Sequence, residues 1–518
     1  MRLTWNKEYE DYTDTANWQP RYEELCLFAE AFTMDWAEEK SDEILLDSLD
    51  MLEELLRFYC AESNMAKLEP VMRKFNSLLN LCRQRGMTGV EIRYMEMLFL
   101  RVNAMLYRMH GQHRQSADGY DRCVEAAGKC FQTMKASSHL SGEQTAYVAW
   151  SCIECIKEAS EIHDIILDIP GTLRLLREAV SLLEWMDKFL VDRPGICDQA
   201  SELYVGAAGM FYQYGDTKAG GSCYRQAIRL LNALDAVWGS DFYRARAIWL
   251  MSIHGTMAFH TEGDTAIMLQ CEKEAHEYLR QRYAAKPRDL AIVESAKAAI
   301  GLQRSSVVQQ SGKLDNAIAI ARDAIRALEE SFAVVQADYE GRNDYHASVM
   351  SRIASRINNI WVGSKETLGV MLFQSGDIAG SEAAMKEVLD NLTKTSGIRM
   401  TGSGAVLIQS EVLQYLGMIA AEHGDPYQTD FYGTQSADMA FNLGKESGNA
   451  NAWGLAVGSC SLVAETALAM KNKPKAAQYA DLGLKAADAL AKANPNHHIL
   501  VLRRDLEKYY KKANRRFF

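Results

Sequence analysis

One spacing governs this chain. A glycine followed by a polar residue stands at Gly111, Gly215, Gly263, Gly312, Gly376 and Gly424, with apolar and small residues at repeated offsets around each. With Ser63 and Asn472 as further turn markers, successive turns lie 48, 104, 48, 49, 64, 48 and 48 residues apart. The interval of 104 divides into two units, with a turn near His163. A fixed period marks a repeat array, in which each unit cannot bury its apolar face alone and stacks on its neighbours. This period implies two helices of about 20 residues per unit, each about 30 Å long. Only eight prolines occur in 518 residues, so long helices run without interruption. A hydrophobic content of 48% supplies a core and excludes wholesale disorder.

The clearest copy runs Tyr204, Ala208, Phe211, Gly215, Gly220, Tyr224, Ala227, at −11, −7, −4, 0, +5, +9 and +12 from its turn. Ala104, Tyr107, Ser116 and Tyr120 repeat it around Gly111, and Leu368, Gly369, Leu372 and Ser381 around Gly376. Leu416, Gly417 and Ala420 do so around Gly424, Phe259 and Ala275 around Gly263, and Ala317 and Ala324 around Gly312. Leu468 and Ala477 flank Asn472. Small residues at −7 and +5 let two antiparallel helices approach closely, while bulky ones at −4 and +9 fill the space beside the contact. The turn glycine ends the first helix in the left-handed conformation.

This pattern resembles the tetratricopeptide repeat, in a long-helix form of about 48 residues per unit. It departs from the family in lacking the Trp at −11, where Tyr204 stands, and the closing proline. The resemblance implies an all-α fold: an α-solenoid of about nine antiparallel helix pairs, wound as a right-handed superhelix and capped by helices at both ends.

The chain divides by pattern into an acidic segment and capping helix (1–40), a first helix pair (41–90), the repeat array (91–494) and a basic helix and tail (495–518). In 41–90, Leu45, Leu49, Leu52, Leu56 and Tyr59 form one apolar stripe, and Met65, Leu68, Met72, Phe75, Leu79 and Cys82 another. Pro70 predicts either a kink in the second helix or its start near Glu69. Tyr22–Glu39 reads as one amphipathic capping helix with Leu25, Phe28, Phe32 and Trp36 on its face. Trp5, Trp18 and Trp36 would equally suit a partner-binding element.

The net charge is −11. Residues 1–70 carry 18 acidic and six basic side chains, and residues 501–518 carry seven basic and two acidic. An acidic total argues against general nucleic-acid binding, which needs a positive face. The basic cluster comprises Arg503, Arg504, Lys508, Lys511, Lys512, Arg515 and Arg516. It is either a solvated final helix or an electrostatic contact with anionic lipid, nucleic acid or the acidic region of another copy. Eleven cysteines without framework spacing point to a reducing compartment, the cytoplasm. The first 20 residues lack an apolar signal core. The uncharged run Ser447–Ala464, rich in Gly, Ser and Ala, reads as a tightly packed buried helix rather than a membrane span.

Catalytic signatures are absent: no phosphate loop, no dinucleotide-binding turn, no HExxH, no nucleophile elbow. Cys152-x-x-Cys155 lies in a predicted helix over Gln144–Ile162 without a second pair, so core packing is the expectation rather than a metal or redox site. His110 and His113 flank a turn without further ligands, and His276 and His497-His498 have no partner spacing. Most of the 23 methionines lie on apolar helical faces, such as Met65, Met72, Met95 and Met105. No catalytic residue, metal or cofactor is expected.

The resemblance implies a ligand groove lined by each first helix, with contact positions at −10, −6, −3 and −2 from each turn. In this sequence these are Arg101, Met105 and Arg108 before Gly111, Tyr212 and Gln213 before Gly215, and His260 before Gly263. Gln309 and Gln310 precede Gly312, Phe373 and Gln374 precede Gly376, and Gln414 precedes Gly424. Amide side chains donate and accept at once, and so pair with a peptide backbone whatever its sequence. Gln is also simply a good exposed helix former. The expected function is a non-enzymatic scaffold that binds a peptide or protein segment, able to self-associate. The alternative is a peptide-sensing bacterial regulator without its own DNA-binding domain. An enzyme with a site between helices ranks last.

Overall fold

The computed structural model describes residues 15–514 except 62–64, 191–193, 240, 282–285, 342–344, 395–399, 401 and 496. Among these residues the regular structure is entirely helical. The helices are α1 (Thr15–Ala31), α2 (Met34–Glu38), α3 (Asp42–Ala61), α4 (Met65–Gln84), α5 (Val90–Met109), α6 (His113–Ala136) and α7 (Gly142–Ile165). Next come α8 (Ile169–Leu190), α9 (Pro194–Gln213), α10 (Thr217–Trp238), α11 (Asp241–Glu262), α12 (Ala266–Gln281), α13 (Pro287–Gln310) and α14 (Leu314–Tyr339). Then follow α15 (Tyr345–Ser375), α16 (Ile378–Thr393), α17 (Gly402–Glu422), α18 (Pro426–Ser447), α19 (Ala450–Ala469), α20 (Lys473–Ala493) and α21 (Arg503–Asn514). The chain forms two compact units, divided at Ala207 within α9, with Gly341–His346 belonging to the first.

From α3 to α20 the helices form nine successive pairs, each running down one helix and back along the next. Contacts across the turns fix this antiparallel course. Ser116 Oγ donates to the Ala104 carbonyl at 2.9 Å, and further from the turn the Cys123 thiol donates to the Met97 carbonyl at 3.5 Å. Ser305 Oγ donates to the Ala317 carbonyl at 2.7 Å. Ala104 with Ser116 and Ser305 with Ala317 are the −7 and +5 residues, and they meet because neither carries bulk. At Gly369 an added Cβ would stand 2.8 Å from Met385 Cε.

The turns at Gly111, Gly215, Gly312, Gly376 and Gly424 share one backbone geometry, and the aspartates that follow three of these glycines add a side-chain cap. At Gly215 (φ 84°) the backbone goes left-handed, Asp216 N–H bonds the Phe211 carbonyl at 2.8 Å, and the Asp216 side chain caps α10 through Ala219 N–H. Gly376 with Asp377 and Gly424 with Asp425 do the same. The turn near His163 is centred on Leu167, whose φ of 63° stands where other turns have glycine. Asp168 then bonds the His163 carbonyl with its N–H, while its carboxylate takes the His163 ring and Gly171 N–H. At the last pair the left-handed residue is Lys471 (φ 62°), not Asn472, which instead caps α20 through Lys475 N–H. The marker at Ser63 lies outside the described residues. The interval of 64 reflects a long α14 and α15, of 26 and 31 residues.

In the first pair Leu45, Leu49, Leu52, Leu56 and Tyr59 face Leu68, Met72, Phe75, Leu79 and Cys82, all buried; the Met65 side chain lies outside the described residues. α4 begins at Met65 and runs through Pro70. The expected single capping helix is two, because Thr33 breaks it and caps α2 through Trp36 N–H. Leu25 and Phe32 are buried, and the rings of Phe28, Phe32 and Trp36 follow one another at 5.8 and 5.9 Å. Trp36 is therefore part of the cap's packing; Trp5 and the Trp18 side chain lie outside the described residues. α17 and α19 are each long and apolar enough to cross a membrane. Within the second unit α19 packs between α18 and α20, with Ala456, Val457, Cys460, Val463 and Ala464 fully buried.

Two kinds of substitution separate these constraints. Ala317→Leu or Gly369→Leu overpacks a crossing and should cost about 1–3 kcal/mol in urea unfolding. Lys471 is exposed in a left-handed conformation, so Lys471→Gly relieves strain and should stabilise by about 1 kcal/mol. A loss of stability on Lys471→Gly would contradict this account of the turn.

Candidate functional site

The groove positions fall into two chemically different rows, one in each unit. In the first unit Arg101 on α5 reaches Glu158 on α7 at 2.6 Å and Glu154 at 3.3 Å, and Arg108 reaches Glu161 at 3.5 Å. Tyr120 from α6 donates to the same Glu158 carboxylate at 3.1 Å. Burial works against the Glu158 charge, yet Arg101 beside it holds this carboxyl below its ordinary range. Arg101 and Arg108 thus join two successive first helices, and Met105 lies half-buried between them. The charges spaced seven apart on α5 match the carboxylates spaced four and three apart on α7, because both sets follow one helical face.

Cys152 and Cys155 sit in this unit's core without exposure. The Cys152 thiol donates to the Ala127 carbonyl of α6 at 3.5 Å. Both thiols titrate well above the usual range, Cys152 through its contact with Cys130 and Cys155 through its contact with Cys123, with burial adding to each.

In the second unit Tyr212 lies against Gly220, with its ring 6.0 Å from Tyr224. Gln213 is exposed and donates to the Tyr214 hydroxyl at 3.2 Å. His260 is exposed, its ring 5.6 Å from that of its neighbour Phe259.

Further along, three consecutive first helices are joined. The Gln309 amide on α13 donates to the Gln374 carbonyl oxygen on α15 at 2.8 Å, with Gln310 exposed beside it. Phe373 meets Tyr415 on α17 edge to face at 5.8 Å. Gln414 lays its amide over Gly458 on α19. The offsets found Gln309, Gln374 and Phe373; Tyr415 lies at −9 from Gly424, outside the positions considered.

Next to Tyr415, Glu366 on α15 and Glu411 on α17 bring their carboxyl groups near one another, each within electrostatic reach of the other. The Thr367 hydroxyl donates to the Gly363 carbonyl at 2.9 Å and lies 3.3 Å from Glu366. Lys365 turns away to Glu387 at 2.7 Å and Glu329 at 3.7 Å. Burial, with the Glu411 carboxylate opposite, pushes Glu366 up to about 8, and burial also raises Glu411. Burial, then Glu411 and Glu366, raise the Tyr415 phenol to about 12. Glu366 stands at −10 from Gly376, so the groove offsets point to it; without sight of Glu411, a single Glu on a helix reads as solvated.

A carboxyl with a raised folded-state pKa stabilises the fold at acid pH, below its unfolded value, and that contribution is lost as pH rises through the folded value. For Glu366 the window runs from its ordinary 4.5 to about 8. Glu366→Gln should therefore change the melting temperature little at pH 5 and raise it at pH 9. Parallel melting profiles for the two proteins across this range would show that burial does not raise Glu366.

No protein-family model and no curated protein matches the sequence. Among solved structures, the apo form of the quorum sensor NprR from B. thuringiensis is 9% identical, with a TM-score of 0.37, over 85% of this chain and 99% of that one. A human IFIT1 dimer with m7Gppp-AAAA is 12% identical, with a TM-score of 0.32, over 90% of this chain and 89% of that one. Yeast Tom70 is 9% identical, with a TM-score of 0.23, over 81% of this chain and 95% of that one.

Proposed function

We propose that this protein is a non-enzymatic binding protein of the cytoplasm that takes up a peptide or protein segment along the row formed by Gln309, Gln310, Phe373, Gln374, Gln414 and Tyr415. The observation that carries this reading is the Gln309–Gln374 amide pair followed by the Phe373–Tyr415 ring pair, which run across three successive first helices. A peptide backbone can replace one amide partner by another, exchanging neutral hydrogen bonds of similar strength. The adjoining rings give apolar contact with two-angle side chains that lose little freedom. The Arg101 and Arg108 row is a poorer candidate, because a ligand there would first have to part guanidinium–carboxylate pairs and leave charges partly desolvated. The buried thiols of Cys123, Cys130, Cys152 and Cys155 suit a reducing compartment.

Panning a displayed random-peptide library against the full chain tests this. Dissociation constants of recovered peptides are then measured on variants. Gln374→Ala should weaken binding by about 0.5–1.5 kcal/mol, as for one neutral hydrogen bond. Phe373→Ala should weaken it more, and Arg108→Ala should leave it unchanged. Circular dichroism should stay that of the parent throughout. Equal affinity for parent, Gln374→Ala and Phe373→Ala sinks the assignment of this row.

A further inference from the structure

Two surface patches of opposite charge each carry exposed apolar side chains. The first spans α1 to α3. Glu30, Asp35, Glu38, Glu39 and Glu43 are exposed there and meet no basic side chain among the described residues. The nearby cations are directed elsewhere. Lys74 donates to the Ala29 and Phe32 carbonyls, and Arg85 to the Glu38 and Lys40 carbonyls and the Asp42 carboxylate. Within this acidic surface Leu27 is 67% and Ile44 42% exposed.

The second patch is α21 and the 3-10 turn before it. Leu506 is fully buried against Gly483 and Cys460, and Tyr509 packs beside it, so one face of α21 is fixed to the preceding repeat. The opposite face carries Arg504, Lys508, Lys511 and Lys512, spaced four, three and one apart, which is one helical surface. Arg503 is engaged with Asp488 at 2.7 Å and Lys508 with Asp505 at 3.0 Å. Arg504, Lys511 and Lys512 reach no carboxylate among the described residues. Val501, 72% exposed, and Tyr510, 40% exposed, flank them. Arg515 and Arg516 lie outside the described residues.

We infer that the α21 face of one copy docks on the α1–α3 patch of a second copy. Charge complementarity within one sequence selects this occupant: each patch holds unpaired charge of the sign the other lacks, and each carries aliphatic or aromatic surface for a desolvated centre. An anionic membrane or nucleic acid would use the basic face alone and would give the acidic patch no part. Because the two patches differ, the contact is heterologous and propagates from copy to copy, closing into a ring only if the rotation permits. Complementary charges steer the encounter, and the apolar side chains hold it.

Sedimentation velocity on the full chain over a range of concentrations tests this. Association should rise with concentration and fall at least about ten-fold between low and high salt, as screening shortens from about 10 Å at 0.1 M to about 3 Å at 1 M. Lys511→Glu with Lys512→Glu should abolish it, as should Glu38→Lys with Glu39→Lys. Mixing the two charge-reversed proteins should restore association, with the two proteins alternating, the readout that a misfolded variant cannot give. A chain that stays monomeric at every concentration in low salt overturns the inference. So does failure of the mixed variants to associate. A Lys511→Glu, Lys512→Glu variant that loses binding to anionic vesicles or RNA while self-association is unchanged assigns the basic face to that polymer instead.

Discussion

Two helices of this array can pair only where their backbones touch, and the rest of the architecture follows from those points. Ser116 donates to the Ala104 carbonyl and Ser305 to the Ala317 carbonyl, the same −7 and +5 contact with the roles exchanged. Further from the turn, Cys123 bonds the Met97 carbonyl and Ser436 the Ser410 carbonyl, each 12 residues after its turn and 14 before. A small residue is needed at each such place, and where it carries a polar group that group finds a carbonyl at these four contacts. A bulky side chain would hold the helices apart, and a buried polar group without a partner would cost free energy. Serine and cysteine meet both demands. This gives the buried cysteines a packing role: their small size and weak S–H donor suit the helix seam, where burial also keeps the thiol protonated.

How far the fold was legible depended on whether the physical demand fell on one residue or on several. A left-handed turn residue is a demand on one position, and six turns met it with glycine. Leu167 and Lys471 meet it at the expense of strain. The first turn was visible only through the period, and the second through the period and through Asn472, which caps the following helix. The break between α1 and α2 has no glycine or proline to announce it. It is made by the Thr33 hydroxyl competing for Trp36 N–H, an alternative that Ser and Thr offer the backbone wherever they stand. The length of α15 has no local marker at all.

The candidate row was half legible for a related reason. Position along a first helix is set by its own turn, so offsets from Gly312 and Gly376 found Gln309, Phe373 and Gln374. Which residue of the next repeat lies opposite depends on lateral register between helices 65 residues apart in the case of Gln309 and Gln374. One repeat's sequence does not encode that register. Tyr415, the Glu366–Glu411 pair and the carboxylates facing Arg101 are all consequences of it. Arg101 stands at a groove offset by the same rule as Gln374, yet the neighbouring helix engages one with charge and the other with an amide.

That difference decides what each row can do. A guanidinium between Glu158 and Glu154 is stable only while both partners stay in place, since removing one leaves a partly buried charge uncompensated. The first unit's row therefore fastens α5 to α7 and resists exchange. The amide pair at Gln309 and Gln374 carries no net charge, and its donors and acceptors are satisfied equally by a peptide bond. The Glu366–Glu411 pair lies between these cases. Burial raises both of its carboxyls, which favours their neutral forms, and Lys365 is engaged instead with Glu329 on α14 and Glu387 on α16. The helix-pair scaffold fixes where first-helix side chains stand. Whether they cement neighbouring repeats or remain open to exchange is set by the charge of the residue opposite, and in this chain the neutral row lies in the second unit.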